Sequence, residues 1–273
     1  MKRILITGAN SYIGTSFEKW MQQFDDYQID TIDLHGDMWK TKDFSIYDSV
    51  FHVAGIAHAD VERVSNDVKN QYYSINRDLS FDVARTYKES RKFNQKSNFI
   101  FMSSIIVYGD ISNVRKKVTI NSKTETKPSN FYGDSKLQAE SLLSNLTDDN
   151  FILTIVRPPM IYGENCKGNF LSLQRLASKV SIFPYFENER SVLYIDNLCN
   201  HIKTYIDSPC TGIFLPHDDK YKCTSLWIKD IGKENSNKIT LIKGFSWVIV
   251  ILSFVPGRIG KLTKKAFGNL VYE

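Results

Sequence analysis

The first fourteen residues constrain this 273-residue chain more than any other stretch. Lys2-Arg3-Ile4-Leu5-Ile6-Thr7 reads as a strand buried on both faces. It runs into Gly8-Ala9-Asn10-Ser11-Tyr12-Ile13-Gly14, and apolar residues then recur at helical spacing to about Gln23. Gly8 suits a tight turn there, and Gly14 suits close packing of helix on strand. A buried strand, a glycine-bearing turn and a helix in succession point to a parallel sheet covered by helices.

The start of that helix offers N–H groups and a partial positive charge, the setting in which a dinucleotide's pyrophosphate binds. Ser11 stands at the middle glycine position between Gly8 and Gly14, where a small hydroxyl still fits and can bond a phosphate. On these residues alone, a plain strand–turn–helix remains the other reading. A second strand, Gln28 to Asp33, ends in an acid about 20 residues past the last glycine, where a carboxylate accepts ribose hydroxyls. Such a charge repels a 2′-phosphate and favours NAD over NADP, although Lys40 and Lys42 stand close enough to compensate.

Ser49 to Gly55 gives a third strand whose end, Val53-Ala54-Gly55, is small enough for a cofactor to lie against the main chain. His52 and His58 suit packing or capping better than catalysis. A helix is expected from about Asn70 to Lys92, a strand from Asn98 to Ser104 and another from Asn150 to Val156, closing on Arg157-Pro158-Pro159. The expected fold class is therefore α/β, a doubly wound parallel sheet over residues 1–157 that binds NAD. Residues 158–273 switch to shorter pieces and are expected to form a smaller substrate-binding region.

Tyr132 and Lys136 stand four apart at the head of an apolar-periodic run, so a helix places them one turn apart on one face. An ammonium at that distance favours a phenolate, which makes the pair a proton-transfer device for an alcohol or ketone. Taken alone, the pair also fits an ordinary helix surface.

With 42% hydrophobic and 24% charged residues, the composition is that of a soluble globular protein. The net charge of +5 lacks an aromatic-interleaved basic stripe, so nucleic acid is not an expected partner. Cys166, Cys199, Cys210 and Cys223 show no metal-ligand spacing and are expected to be reduced, with no metal bound. No charged leader precedes the first strand, and the apolar run Phe245 to Val255 is too short to span a bilayer, so a cytoplasmic location is expected. That run, with the Lys-rich segment after it, suits either peripheral contact with a membrane surface or a core or dimer helix; a homodimer is the expectation.

Thr7-Gly8-x-x-Ser11-x-x-Gly14, Asp33, His52-Val53-Ala54, Ser103 to Gly109, Tyr132-x-x-x-Lys136 and Arg157-Pro158 stand in the order and spacing of the extended short-chain dehydrogenases. Over residues up to about 207 the chain resembles their nucleotide-sugar epimerase/dehydratase group, especially UDP-glucose 4-epimerase-like proteins of surface-polysaccharide pathways. The resemblance implies a Rossmann fold, NAD and a UDP-sugar substrate. It implies Tyr132 as the acid or base at a sugar hydroxyl, Lys136 on the nicotinamide ribose, and Ser104, four residues before Tyr108, at the reacting oxygen. It further implies Asp43-Phe44 near adenine, Asn76 behind the cofactor, Arg190 on the substrate diphosphate and Asn169 as a sugar-nucleotide contact. Relatives continue beyond the position of Glu273, so a shortened substrate region is expected.

Ile105-Ile106 follow Ser104 where a dehydratase places an acidic pair, so dehydration is disfavoured. The expected reaction is epimerisation at C4 of a UDP-hexose through a 4-keto sugar. The alternatives are an NAD(P)H-dependent 4-keto reductase of a UDP-deoxy-sugar and a catalytically silent nucleotide-binding relative.

Overall fold

The computed structural model describes residues 1–57, 64–92 and 95–273; His58 lies outside them. Six apolar segments form one parallel sheet: β1 (Lys2–Thr7), β2 (Tyr27–Ile32), β3 (Ser49–His52), β4 (Ser97–Met102), β5 (Phe151–Val156) and β6 (Gly212–Phe214). Their spatial order is β6-β5-β4-β3-β1-β2. The register aligns Leu5 with Val50, Val50 with Phe99, and Phe99 with Leu153. Because side chains alternate across a strand, that row forms one apolar stripe on one face.

Helices α3 (Ser80–Ser90) and α4 (Phe131–Ser144) cover the stripe with Val83, Ala84, Tyr87, Ala139 and Leu143. On the opposite face Phe51 meets Phe17 of α1 (Tyr12–Met21) edge-on, with ring centroids 5.2 Å apart. Phe99 is fully buried, and truncating such a ring to alanine costs about 3–5 kcal/mol.

The chain steps from β1 outward to β2 and then back past β1 to β3, so the winding direction reverses between β1 and β3. The carboxyl ends of those strands flank the crevice in which ligands of open α/β sheets bind. The helix expected from Asn70 begins earlier: α2 (Asn66–Tyr73) starts at Ser65, whose hydroxyl accepts the Val68 N–H at 3.3 Å. A π-helical stretch, Ser74–Leu79, joins α2 to α3 and buries Asn76 completely. Such widened turns are uncommon and concentrate at functional sites.

The chain divides into two compact units, and the division is not a single break at 157/158. Residues 195–216 belong to the sheet unit, because α5 (Ile195–Asp207) packs on α1 and β6 pairs with β5. Residues 110–125 belong to the second unit, because Thr119–Ile120 pairs with Val271–Tyr272. This second unit also pairs Met160–Tyr162 with Val192–Tyr194, and Ile182–Pro184 with Thr240–Ile242. Its helices Asn169–Lys179 and Thr224–Glu234 pack on each other, as do Ser246–Phe254 and Arg258–Phe267.

Candidate active site

Gly8 adopts φ +100°, and a Cβ there would come within 2.8 Å of the Ala54 main-chain nitrogen. A side chain at this position would therefore push the ends of β1 and β3 apart. The N–H groups of Gly8 and Ala9 both donate to the Ile32 carbonyl, at 3.0 and 3.2 Å, which pins the turn beside Asp33. Ser11 caps α1 by accepting the Gly14 N–H at 3.1 Å, while Gly14 backs onto Ile6 and Val53. That bond uses an acceptor of the Ser11 hydroxyl and leaves its proton for another partner.

The exposed Asp33 carboxylate accepts the His35 N–H at 3.0 Å and lies 2.6 Å from the His35 Nδ1. The main-chain bond and then the ring hold its pKa below the ordinary carboxylate value, so it is ionised. Asp43 turns back on Ser45, accepting its N–H at 2.9 Å. The Phe44 ring lies in the core against Trp39 and Tyr87, leaving its main chain rather than its ring for an adenine.

Gly55 follows Val53-Ala54, and a Cβ on it would lie 2.9 Å from Asn76 Oδ1 and 3.1 Å from Lys136 Nζ. Glycine thus brings the main chain against two polar side chains. Asn76 accepts the Ile56 N–H at 2.8 Å and donates to the Ile56 carbonyl and the Ser135 hydroxyl, both at 3.1 Å. Ser135 donates in turn to the Tyr132 carbonyl at 2.9 Å.

Helix α4 begins at Asn130, whose side chain accepts the Gly133 N–H at 2.9 Å. Tyr132, Lys136 and Glu140 then recur every four residues along one face. Ser104 follows β4 in extended conformation and is near enough to the Tyr132 phenol to influence its titration, and the Tyr132 ring meets Tyr72 edge-on at 5.8 Å. The Ser104 oxygen accepts the Ile106 N–H at 3.3 Å, so its own proton is left for the phenol. Lys136 donates to the Met102 carbonyl at 2.8 Å and stands 4.7 Å over the Phe101 ring.

The electrostatics run against the expectation that the lysine alone would favour a phenolate. Burial pushes the Tyr132 phenol up to about 12, with the Ser104 hydroxyl opposing it. Burial also brings the Lys136 amine down to about 8, against the pull of Glu140. Desolvation penalises the charged form of each group, and it outweighs the spacing argument.

Glu140 escaped the sequence reading. Its buried carboxylate accepts Arg157 Nε at 3.0 Å and Nη2 at 2.5 Å, and the Ser103 hydroxyl in addition. Arg157 also donates to the Tyr108 hydroxyl at 2.8 Å. The adjacent serines are thereby divided, Ser103 to Glu140 and Ser104 to Tyr132. The signal was present in the recurrence of 132, 136 and 140 and in the arginine closing β5.

His52 is a packed histidine, fully buried between the rings of Phe99 and Phe101. Its Nδ1 lies 2.7 Å from the Thr7 hydroxyl and its Nε2 2.9 Å from that of Ser80. Ser80 donates to the Asn76 carbonyl at 2.8 Å, so Nε2 carries the proton and Nδ1 accepts from Thr7. Burial lowers its pKa to about 3, so the ring is neutral and has no proton-transfer role.

In the second unit the exposed Asn169 opens the helix Asn169–Lys179 after Gly168. Its neighbour Phe170 lines a cavity of about 740 Å³ with Tyr162, Tyr194, Lys222 and Trp227. Arg190 pairs its main chain with Lys222, and its Nη1 donates to the carbonyls of Lys265 at 2.6 Å and Gly268 at 3.4 Å. Burial brings its pKa down to about 10.

The sheet unit fits a dinucleotide on three structural counts. A glycine cradle stands where any Cβ would intrude, a helix N-terminus follows it, and an ionised carboxylate ends the next strand. Among the described residues no group of His, Cys, Asp or Glu is placed to hold a metal ion, and no helix is long and apolar enough to cross a membrane. The four cysteines form no disulfide.

Residues 4–213 match the model of the NAD dependent epimerase/dehydratase family. UDP-glucose 4-epimerase of Vibrio cholerae is 30% identical over 254 residues, covering 84% of this chain and 75% of that protein. N-acetyl-alpha-D-glucosaminyl-diphospho-ditrans,octacis-undecaprenol 4-epimerase of Escherichia coli O157:H7 is 28% identical over 227 residues, covering 77% and 64%. The crystal structure of UDP-N-acetylglucosamine 4-epimerase from Bacillus cereus superposes with TM-score 0.67 at 16% identity, over 98% of each chain, and supports the fold.

Proposed function

The chain belongs to the NAD dependent epimerase/dehydratase family, and on that premise we propose that it is an NAD-dependent epimerase inverting C4 of a UDP-hexose. The observation that supports this reading is that Lys136 bonds the Met102 carbonyl at the carboxyl end of β4, with Ser104 two residues further on and Tyr132 one helical turn before the lysine. Bound NAD supplies the hydride acceptor and donor. The protein's part is to hold the sugar and move one proton. Tyr132 takes the proton from the C4 hydroxyl and returns it after the ring has turned in the site. Ser104 has one proton to donate: turned to the phenol it lowers the cost of the phenolate, and once Tyr132 has taken the substrate proton it is given to the reacting oxygen.

Lys136 reaches a nicotinamide ribose from its place at Gly55 and Met102. Asn76 fixes the backbone at Ile56, Gly55's neighbour, so that the strand end keeps its shape beneath the cofactor. The turn from Gly8 to Gly14, including Asn10, Ser11, Tyr12 and Ile13, takes the pyrophosphate. Asp33 takes the adenosine ribose, Asp43 and Phe44 border the adenine, and Val53-Ala54-Gly55 underlie the ring system. All of these residues lie in the sheet unit, and Asn169 and Arg190 of the second unit are assigned to the sugar nucleotide. The Arg190 fork has Nε and Nη2 donors beyond the Nη1 that binds carbonyls, which suits a diphosphate.

Elimination of water needs a mobile acid near the sugar. Ile105 and Ile106 offer none, and Glu140 is held by Arg157 and Ser103. Dehydration is therefore disfavoured on structural as well as sequence grounds. The test is to identify the dinucleotide released from purified protein by mass spectrometry and to incubate the protein with a panel of UDP-sugars. Bound NAD with interconversion of C4 epimers and no added reductant supports the proposal. Conversion only of a supplied 4-keto sugar at the expense of NADPH would make the protein a reductase instead.

A further inference from the structure

From Asn235 to Tyr272 the chain contains no aspartate or glutamate, while it carries Lys238, Lys243, Arg258, Lys261, Lys264 and Lys265. The whole chain has a net charge of +5, so this one segment carries its entire positive excess. Half of the exposed large apolar side chains among the described residues lie in the same segment, between Ile242 and Leu262. The two properties coincide on a pair of adjacent helices.

Helix Ser246–Phe254 is apolar all round but buries only one side, with Ile249 against Val114 and Phe186. Trp247, Ile251 and Phe254, spaced i, i+4 and i+7, form the opposite stripe and are 65%, 56% and 66% exposed. Val255-Pro256-Gly257 turns the chain into helix Arg258–Phe267, which packs on the first. This second helix exposes Ile259 and Leu262 beside Arg258, Lys261, Lys264 and Lys265.

We propose that this face docks on an anionic phospholipid surface. An indole and a phenyl ring amid basic side chains match a headgroup boundary, where rings and aliphatic chains leave water and cations meet phosphates. A helix of nine residues is about 14 Å long, too short to cross a bilayer, so it lies in the interface. Charge decides against a second copy as the occupant. A two-fold interface would set this acid-free, basic segment against itself and bring like charges together as the apolar faces closed. The inference concerns a surface of the second unit and does not depend on the reaction assigned above.

The experiment is co-sedimentation of the full chain with phosphatidylcholine vesicles and with mixed phosphatidylcholine–phosphatidylglycerol vesicles, alongside sedimentation velocity without lipid. The expected result is pelleting with the mixed vesicles only, weakened by salt, with a blue shift of tryptophan emission that Trp247→Phe removes. Lys264→Glu/Lys265→Glu lowers partitioning at least about tenfold. Trp247→Ser/Phe254→Ser also abolishes it, with circular dichroism confirming that both variants remain folded. Equal binding to the two vesicle types, or binding to neither, overturns the proposal. So does a dimer that Trp247→Ser/Phe254→Ser splits, which would assign the face to a second copy.

Discussion

Lys136 donates from Nζ to the main-chain carbonyl of Met102 at 2.8 Å, two residues before Ser104. The amine is thereby anchored at the strand end while burial lowers its pKa from 10.5 to about 8. The unfolded chain keeps this proton to higher pH than the folded chain does. The buried charge therefore disfavours the fold below pH 8, and stability rises as pH increases between 8 and 10.5. Lys136→Met is expected to abolish turnover yet raise unfolding free energy near pH 7 by up to about 3 kcal/mol. Urea denaturation from pH 7 to 10 checks this, with the variant's advantage shrinking as pH rises.

Tyr132→Phe removes the proposed proton carrier and leaves the ring on Tyr72. Turnover is expected to fall by about 10²–10⁴-fold. Stability changes by no more than about 1 kcal/mol, because one hydrogen bond is lost while the cost of burying the hydroxyl disappears as well. NAD should still copurify, since the glycine turn is untouched. Steady-state rates and dinucleotide content of the same preparations check both halves.

Much of the sheet was legible because buried parallel strands are nearly continuous apolar runs. Segments such as Ile4-Leu5-Ile6 and Phe99-Ile100-Phe101 announce themselves without help from distant contacts. β6 did not, because Gly212-Ile213-Phe214 is too short to show periodicity and is defined by its pairing with β5. The non-contiguous division of the chain follows from that same strand and from the pairing of 119–120 with 271–272. At the site, Tyr132 and Lys136 were readable from spacing and Ser104 from the family resemblance, and the structure anchors Lys136 at the end of β4, two residues before Ser104. Their titration was not readable, because desolvation depends on what surrounds a side chain. The Glu140 carboxylate was missed for a similar reason: an acid in mid-helix looks like a solvated face until Arg157 and Ser103 close on it.

Glu140 and Arg157 are both almost fully buried, so neither tolerates loss of the other. Glu140→Leu leaves the guanidinium without its carboxylate and is expected to destabilise the fold by about 3–5 kcal/mol. Restoring part of that loss with Arg157→Met in the same chain would identify the stranded charge as the cause. Thermal unfolding of the single and double variants measures it.

His52 sets the acid limit of the sheet unit. Its pKa is about 3 in the fold against 6.5 for an ordinary histidine, so the unfolded chain binds the extra proton between those values. Stability on this account is intact above pH 6.5 and falls by up to about 1.4 kcal/mol per unit as pH drops towards 3. His52→Gln, which has no such proton to gain, is expected to show a shallower decline. Chemical denaturation at stepped pH between 7 and 4 compares the two.

The most direct test of the proposed chemistry follows the C4 proton of a UDP-hexose by NMR, with purified protein in deuterated water and no added nicotinamide. Hydride transfer that begins and ends on one bound NAD keeps the original hydrogen on carbon. The account expects the C4 epimer to accumulate with protium still at C4. Deuterium appearing at C4, or no epimer from any UDP-hexose while the protein carries NAD, would contradict it.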